Sequence, residues 1–134
     1  MPKNILILKD AKLFSENGQM LEGISIAVEG DKIAALYDNS KQIPQNAEII
    51  SFKGCTILPG LIDCHTHITL DASKDPFGQA NCDSMPVLAW KAAKHAKDTL
   101  LAGVTTIRDM GGINGIDLEL RDAINSGFLT VPEL

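Results

Sequence analysis

Short stretches of alternating hydrophobic and polar residues predict β-strands in the first part of the chain. Residues 24–29 read ISIAVE, and large apolar residues at every second position are typical of a half-buried strand. A tight turn at Glu29-Gly30-Asp31 leads into a second apolar stretch, so residues 24–37 are predicted as a β-hairpin. Apolar runs at residues 5–8 and 48–52 predict two further strands. We interpret this part as scaffold, because it carries no cluster of acidic or basic groups.

After residue 55 the pattern changes to an alternation of strands and helices. Residues 61–68 and 104–109 are apolar runs of strand length. Residues 86–101 and 116–126 repeat apolar positions at helical spacing, and each is followed by a glycine that can end a helix. This order implies a parallel sheet with right-handed crossovers. Two parallel strands cannot make a covered sheet, so we expect this half to be incomplete by itself.

The strand predicted over residues 61–68 carries two histidines, His65 and His67, separated by one residue. Residues i and i+2 of a strand point to the same face, roughly 6.6 Å apart at the backbone. Two imidazoles at that separation can converge on one metal ion, and zinc accepts imidazole nitrogen. The competing interpretation is a pair of hydrogen-bonded histidines at a strand end. Their position at the end of a core strand, before a polar loop at residues 71–84 that can shape a pocket, favours the metal.

Two acidic residues accompany the histidines. Asp63 falls on the same strand face. Its carboxylate could orient an imidazole or act as an acid at a distance. A carboxylate that is satisfied by nearby backbone N–H groups is an equally open interpretation. Asp109 ends the second predicted strand, at the edge of a parallel sheet where sites form. Asp109 could lie near the substrate, hydrogen-bond to a metal ligand, or have a purely structural role, and these alternatives remain open. Arg108 is predicted to be structural.

The remaining histidine and the cysteines receive structural interpretations. His95 lies in the middle of a predicted helix among lysines, and we predict a surface histidine. Cys64 lies between two residues that face the other way, which predicts a buried and inert thiol. The three cysteines have no CxxC spacing and leave one unpaired in any disulfide scheme. A reducing cytoplasm is therefore the simplest location.

Composition and charge exclude several classes of partner. Hydrophobic residues make up 45% and charged residues 22% of the 134 residues, as in soluble globular proteins. The net charge of -5, without a Lys/Arg cluster, argues against nucleic-acid and anionic-membrane partners. The apolar run at residues 5–8 is too short for a signal-peptide core or a membrane span.

Several of these segments resemble the amidohydrolase superfamily of metal-dependent hydrolases, and within it the imidazolonepropionase-like or prolidase-like branch. Residues 57–67, ILPGLIDCHTH, are similar to the family's first barrel strand. Residues 102–112, AGVTTIRDMGG, resemble its second strand, and residues 120–127, LRDAINSG, resemble the helix after it. Residues 4–54 resemble the small β-sandwich that precedes the barrel.

The resemblance implies a mixed β plus α/β fold in two parts. Residues 1–56 would form a portion of a composite β-sandwich domain. Residues 57–134 would form the first two βα units of a TIM-type (β/α)8 barrel that is incomplete in this chain. Since such a barrel takes about 250 residues by itself, the chain is expected to be an amino-terminal portion of a family member.

The resemblance also implies a metal-dependent chemistry. His65 and His67 map onto the pair that binds the more buried metal, in a centre of one or two ions for which zinc is the expected metal. Family members complete it with a carboxylated lysine or glutamate, two histidines and an aspartate from later strands. The metal activates water for attack on an amide carbon, and that aspartate handles the proton. The implied substrate is a small amide, a dipeptide or a cyclic amide, and a homo-oligomer is compatible with this family.

Two hypotheses about activity follow. In the first, the chain is part of an enzyme that hydrolyses C–N bonds and is inactive alone, because it lacks the later ligands. In the second, it is a catalytically silent product or a module that folds with a partner or as an oligomer. A non-enzymatic metal carrier is disfavoured, because two histidines without a thiol or carboxylate at ligand spacing give modest affinity.

Overall fold

The computed structural model of the chain describes residues 5–38 and 43–129. Contacts group the chain into two compact units that divide between Pro59 and Gly60. The first unit consists of strands, and the second alternates strands with helices. None of the described helices is long and apolar enough to cross a bilayer.

Short strands in two sheets make up the described part of the first unit. In chain order they are β1 (Ile5–Lys9), β2 (Lys12–Phe14), β3 (Met20–Leu21), β4 (Ile24–Glu29), β5 (Lys32–Asp38), β6 (Glu48–Ser51) and β7 (Thr56–Ile57). One sheet has the order β5-β4-β1-β6, and the other has the order β3-β2-β7. The predicted hairpin is confirmed as the antiparallel pair β4 and β5, with an irregularity between Ala27 and Val28. Ile7, Leu13 and Ile26 are buried in this unit.

Three of these strands were not predicted from the alternation of residue types. β2, β3 and β7 contain three, two and two residues. A strand of two or three residues is shorter than one clear period-2 repeat, so its sequence carries no usable pattern. Their pairing depends instead on partners that are distant in the chain, as in the parallel contact of Leu13 with Ile57.

The second unit follows the predicted order of strand, helix, strand and helix, with one additional short helix. Its elements are β8 (Leu61–Thr66), α1 (Pro76–Cys82), α2 (Met85–Leu101), β9 (Val104–Asp109), a 3-10 turn (Ile113–Gly115) and α3 (Ile116–Asn125). β8 and β9 are parallel, and their ends are paired through Leu61 with Val104 and Thr66 with Asp109. The predicted parallel arrangement of the two strands is therefore confirmed.

The helix α1 corrects the prediction of an irregular loop over residues 71–84. Asp75 caps it, since a carboxylate oxygen accepts a hydrogen bond from the Gly78 N–H at 2.9 Å. Pro76 occupies the first turn, where its missing N–H leaves no hydrogen bond unmade. An N-cap residue followed by proline is a recognised start of a helix. The sequence prediction missed it because the segment is mostly polar.

Small and branched apolar side chains build the core of the second unit. The buried residues of this core are Ile68, Ala80, Leu88, Ala92, Ala96, Ile116 and Leu120. Ala92 and Ala96 are fully buried, and their small side chains allow α2 to approach its neighbours closely. Ile68 belongs to the same core and directly follows His67. The chain directly after His67 is therefore anchored by packing.

Replacing Leu88 by alanine is expected to destabilise the second unit by about 3 kcal/mol, because a buried leucine leaves a cavity. Leu88 is 2% exposed, whereas Leu101 of the same helix is 70% exposed. Leu101→Ala is thus a matched control, with an expected change below about 0.5 kcal/mol. Urea denaturation followed by circular dichroism measures both. Equal midpoints for the two variants would contradict this description of the core.

The strand β8 is exposed along most of its length. Leu61 and Ile62 are 51% and 67% exposed, and Cys64 is also exposed. The prediction of a buried Cys64 thiol is therefore wrong for this chain. It assumed that a layer of helices covers one face of the strand, whereas each residue from Leu61 to His65 is exposed.

Candidate metal centre

His65 and His67 lie together at the C-terminal end of β8. His65 is within the strand, and His67 is the first residue after it, so the strand ends earlier than predicted. The centroids of the two rings are 5.5 Å apart, and the ring planes meet at 70°. His65 is exposed and His67 is half-buried. The fold thus brings the two imidazoles side by side, as their spacing in the sequence predicted.

A backbone carbonyl fixes the orientation of the His67 ring. Nδ1 of His67 is 3.0 Å from the carbonyl oxygen of Gly111, in the loop after β9. A carbonyl can only accept a hydrogen bond, so Nδ1 carries a proton, and in the neutral ring Nε2 then presents its lone pair. Metal-binding histidines commonly donate their second nitrogen to a carbonyl or carboxylate in this way. The arrangement prepares Nε2 of His67 to act as a ligand.

Asp109 joins the loops that follow the two strands. Its Oδ2 accepts a hydrogen bond from the Ile68 N–H at 2.7 Å, and its Oδ1 accepts one from the Gly111 N–H at 2.8 Å. The Met110 N–H also donates to the Thr66 carbonyl at 2.8 Å. Asp109 therefore holds Gly111, whose carbonyl orients His67, and also holds the residue after His67.

Asp63 contacts the backbone of its own strand. One carboxylate oxygen accepts a hydrogen bond from the N–H of His65 at 3.0 Å. This contact matches the backbone-satisfied interpretation of Asp63, and it also fixes the peptide that carries His65. A role of Asp63 toward a bound metal stays a prediction.

His95, like Cys64, lies in an environment that differs from the one predicted from the sequence. It was predicted to be a surface histidine, but its side chain is half-buried and its Nδ1 is 2.9 Å from the carbonyl oxygen of Ile68. The sequence held a signal for this contact. His95 is three residues after Ala92 and seven after Leu88, so it borders the apolar stripe of the helix.

The described residues fit part of a catalytic metal centre. Two imidazoles converge, and one of them has its tautomer fixed for binding through Nε2. Within residues 5–38 and 43–129, however, no group of three or more His, Cys, Asp or Glu side chains could hold a metal ion. A catalytic zinc site uses three protein ligands, so the pair His65 and His67 alone would not complete such a site.

A cavity of about 340 Å³ lies between β9 and α3. Ile107, Leu120 and Ile124 contribute apolar walls, and Asp109 is among its polar lining residues. Ile68 also lines the cavity, but neither His65 nor His67 does. The cavity therefore borders the segment after His67 without including the candidate metal ligands.

Comparison with known proteins identifies relatives that are similar to this chain in sequence. A family model described as the amidohydrolase family matches residues 56–132. Imidazolonepropionase of Alkaliphilus metalliredigens is 38% identical over 60 residues, which cover 42% of this chain and 14% of that protein. Dihydroorotase of Geobacillus thermodenitrificans is 30% identical over 109 residues, which cover 81% of this chain and 22% of that protein.

Solved structures extend the likeness to nearly the whole chain. A Xaa-Pro dipeptidase with methionine bound in its active site has a TM-score of 0.81 and 31% identity, and the match covers 96% of this chain and 32% of that one. The chain thus spans less than a third of the length of each of these relatives. The family model covers more than half of the chain, at residues 56–132, and that segment contains both histidines and Asp109. This chain belongs to the amidohydrolase family.

Proposed function

We propose that this chain supplies the first two metal ligands, His65 and His67, of a hydrolase that cleaves C–N bonds with a divalent metal ion. The observation that carries the proposal is the hydrogen bond from His67 Nδ1 to the Gly111 carbonyl. It leaves Nε2 free beside the His65 ring, whose centroid is 5.5 Å from the centroid of the His67 ring. Family membership supports the same chemistry, because amidohydrolases are generally metal-dependent.

The proposal includes an assignment of the fold. We infer that residues 1–56 belong to a composite β-sandwich domain and that β8-α2-β9-α3 are the first two strand–helix units of a (β/α)8 barrel. The paired ends of β8 and β9, Thr66 with Asp109, would then lie at the C-terminal face of the barrel. Enzymes of this fold place their active sites at that face.

A bound divalent metal, zinc in this proposal, would supply a nucleophile from water near neutral pH and polarise the carbonyl of the substrate. His65 and His67 would hold the ion through ring nitrogens. The Gly111 carbonyl keeps His67 in the tautomer that can bind, and Asp109 keeps that carbonyl in place. Asp63 fixes the backbone of His65. Imidazole ligands also suit other transition metals, so zinc is the part of the proposal that rests on the family.

The proposed substrate is a small amide, a dipeptide or a cyclic amide. Relatives named dihydroorotase, imidazolonepropionase and Xaa-Pro dipeptidase support this class. We further propose that the 134-residue chain has no hydrolytic activity alone, since the described residues bring only two ligands together. The exposed apolar residues of β8, Leu61 and Ile62, favour the second candidate, a catalytically silent chain that needs further protein to cover it.

Calorimetric titration of the purified chain with zinc, combined with an assay on a Xaa-Pro dipeptide and on dihydroorotate, tests the proposal. We expect weak binding of one ion per chain, no binding after His67→Ala, and no turnover. Tight stoichiometric zinc with measurable turnover would refute the claim that the chain is inactive alone. Absence of any zinc binding by the unaltered chain would refute the metal pair.

A further inference from the structure

His95 connects α2 to the segment that carries the candidate metal ligands. Its Nδ1 is 2.9 Å from the carbonyl oxygen of Ile68, a contact that spans 27 residues of the chain. A carbonyl can only accept, so Nδ1 of His95 carries a proton. The residue held in this way is the one that directly follows His67.

The peptide groups of Ile68 are fixed on both sides. Its carbonyl accepts from His95, and its N–H donates to Asp109 Oδ2 at 2.7 Å. Its side chain is 6% exposed, within the core that includes Leu88 and Ala92. Position 68 is thus held by two hydrogen bonds and by packing, which restricts the backbone of His67 immediately before it.

Hydrogen bonds also connect Asp109 to the ring of His67 through Gly111. Asp109 holds the Gly111 N–H through Oδ1, and the Gly111 carbonyl accepts from His67 Nδ1. The contacts therefore form a closed path from the His67 backbone through Ile68, Asp109 and Gly111 to the His67 ring. His95 supports this path from the helix side, at the carbonyl of Ile68.

Charged and polar groups surround the His95 ring. The residues packed around it are Thr69, Asp71, Pro76, Ala80, Asp83 and Lys91. Asp83 and Lys91 form an ion pair at 2.5 Å. Hydrogen bonds from Ser73, assisted by Lys91 and His95, keep the pKa of the Asp71 carboxyl below its usual value. Thr69 accepts a hydrogen bond from the Ile113 N–H at 3.2 Å, so it also connects the loop after β8 to the loop after β9.

We propose that His95 is a positioning residue for the metal centre: its Nδ1–H holds the carbonyl of Ile68, the residue after His67, and so helps to keep the His67 ring in the orientation that leaves Nε2 free. This inference rests on the proposed function, because the orientation matters only if His67 is a ligand. It assigns to α2 a part in the site that neither the sequence motif nor the spacing of the histidines indicates.

The geometry specifies which substitutions retain this role. The side-chain nitrogen of asparagine is attached to the γ-carbon, as Nδ1 of histidine is, so His95→Asn can keep a donor at the same point. The nitrogen of glutamine lies one bond farther out, and His95→Gln moves the donor away from the Ile68 carbonyl. Lys97→Ala, an exposed position of the same helix, is the matched control.

The test uses the metal-free chain, so that it does not depend on metal binding. Nitrogen-detected NMR of the imidazoles reports the tautomer of His67, and hydrogen exchange reports the protection of the Ile68 and Gly111 amides. We expect His95→Asn and Lys97→Ala to match the unaltered chain. In His95→Gln we expect a mixed tautomer at His67 and roughly tenfold faster exchange of both amides, as for loss of one hydrogen bond.

Unchanged His67 and unchanged amide protection in His95→Gln would overturn the inference. The tautomer of His95 in the unaltered chain is a second measurement that needs no variant. A proton on Nδ1 supports the proposal, whereas a proton on Nε2 alone overturns it, because that tautomer cannot donate to Ile68. If zinc fails to bind the unaltered chain, the proposed function fails, but these metal-free measurements still decide whether His95 positions His67.

Discussion

Replacing His67 by alanine is expected to remove zinc binding by this chain. Only His65 would then remain of the imidazole pair, and a single exposed imidazole does not hold zinc at micromolar concentration. The loss is expected to exceed the roughly 10- to 100-fold loss of affinity that follows removal of a hydrogen-bond partner behind a metal ligand. Calorimetric titration of the folded variant with zinc measures the effect.

Two further variants distinguish the loss of a metal ligand from a general effect of substitution. His65→Ala is expected to behave in the same way, because the two rings are adjacent, with centroids 5.5 Å apart. Lys97→Ala changes an exposed side chain of α2 and should leave zinc binding unchanged. Binding by His67→Ala at the strength of the unaltered chain would show that the ion lies elsewhere.

Replacing Asp109 by alanine is expected to destabilise the second unit by about 2 kcal/mol, because two backbone N–H groups lose a charged acceptor. These are the N–H groups of Ile68 and Gly111. We also expect the affinity for zinc to fall by roughly tenfold, since the carbonyl that orients His67 is released. Urea denaturation and zinc titration measure the two effects separately.

Asp109→Asn should have a stability between those of the unaltered chain and Asp109→Ala. The amide keeps one acceptor oxygen and turns a donor toward the other N–H. Asp122→Ala is the control, since the Asp122 side chain is 64% exposed and forms a surface ion pair with the neighbouring Arg121. Its change in stability should stay within about 0.5 kcal/mol. An Asp109→Ala variant as stable as Asp122→Ala would refute the role of Asp109 as a link between the two loops.

Local patterns in the sequence predicted the elements that are long or strongly periodic. The hairpin of β4 and β5 followed from alternation in residues 24–29, and α2 followed from its apolar stripe. Short elements were missed because they contain too few residues for a period. Helix α1 depends on the Asp75 cap, and β2, β3 and β7 depend on pairing across the chain.

The residues of the candidate site also differ in whether local sequence patterns could predict them. The pair His65 and His67 could be predicted because two residues apart on a strand means side by side in space. The contacts that orient them join residues far apart in sequence. Asp109 reaches Ile68 across 41 residues, and His95 reaches it across 27. Cys64 was misplaced because burial of a strand depends on the layers around it, which its own sequence does not specify.

The most direct test of the account is zinc titration of the isotope-labelled chain, followed through the imidazole nitrogens of its three histidines. We expect the ring-nitrogen resonances of His65 and the Nε2 resonance of His67 to shift together as zinc is added. We also expect His67 to keep its proton on Nδ1 and the His95 resonances to stay in place. A shift that appears first at His95, or equally at all three rings, would contradict the assignment of His65 and His67 as the metal pair.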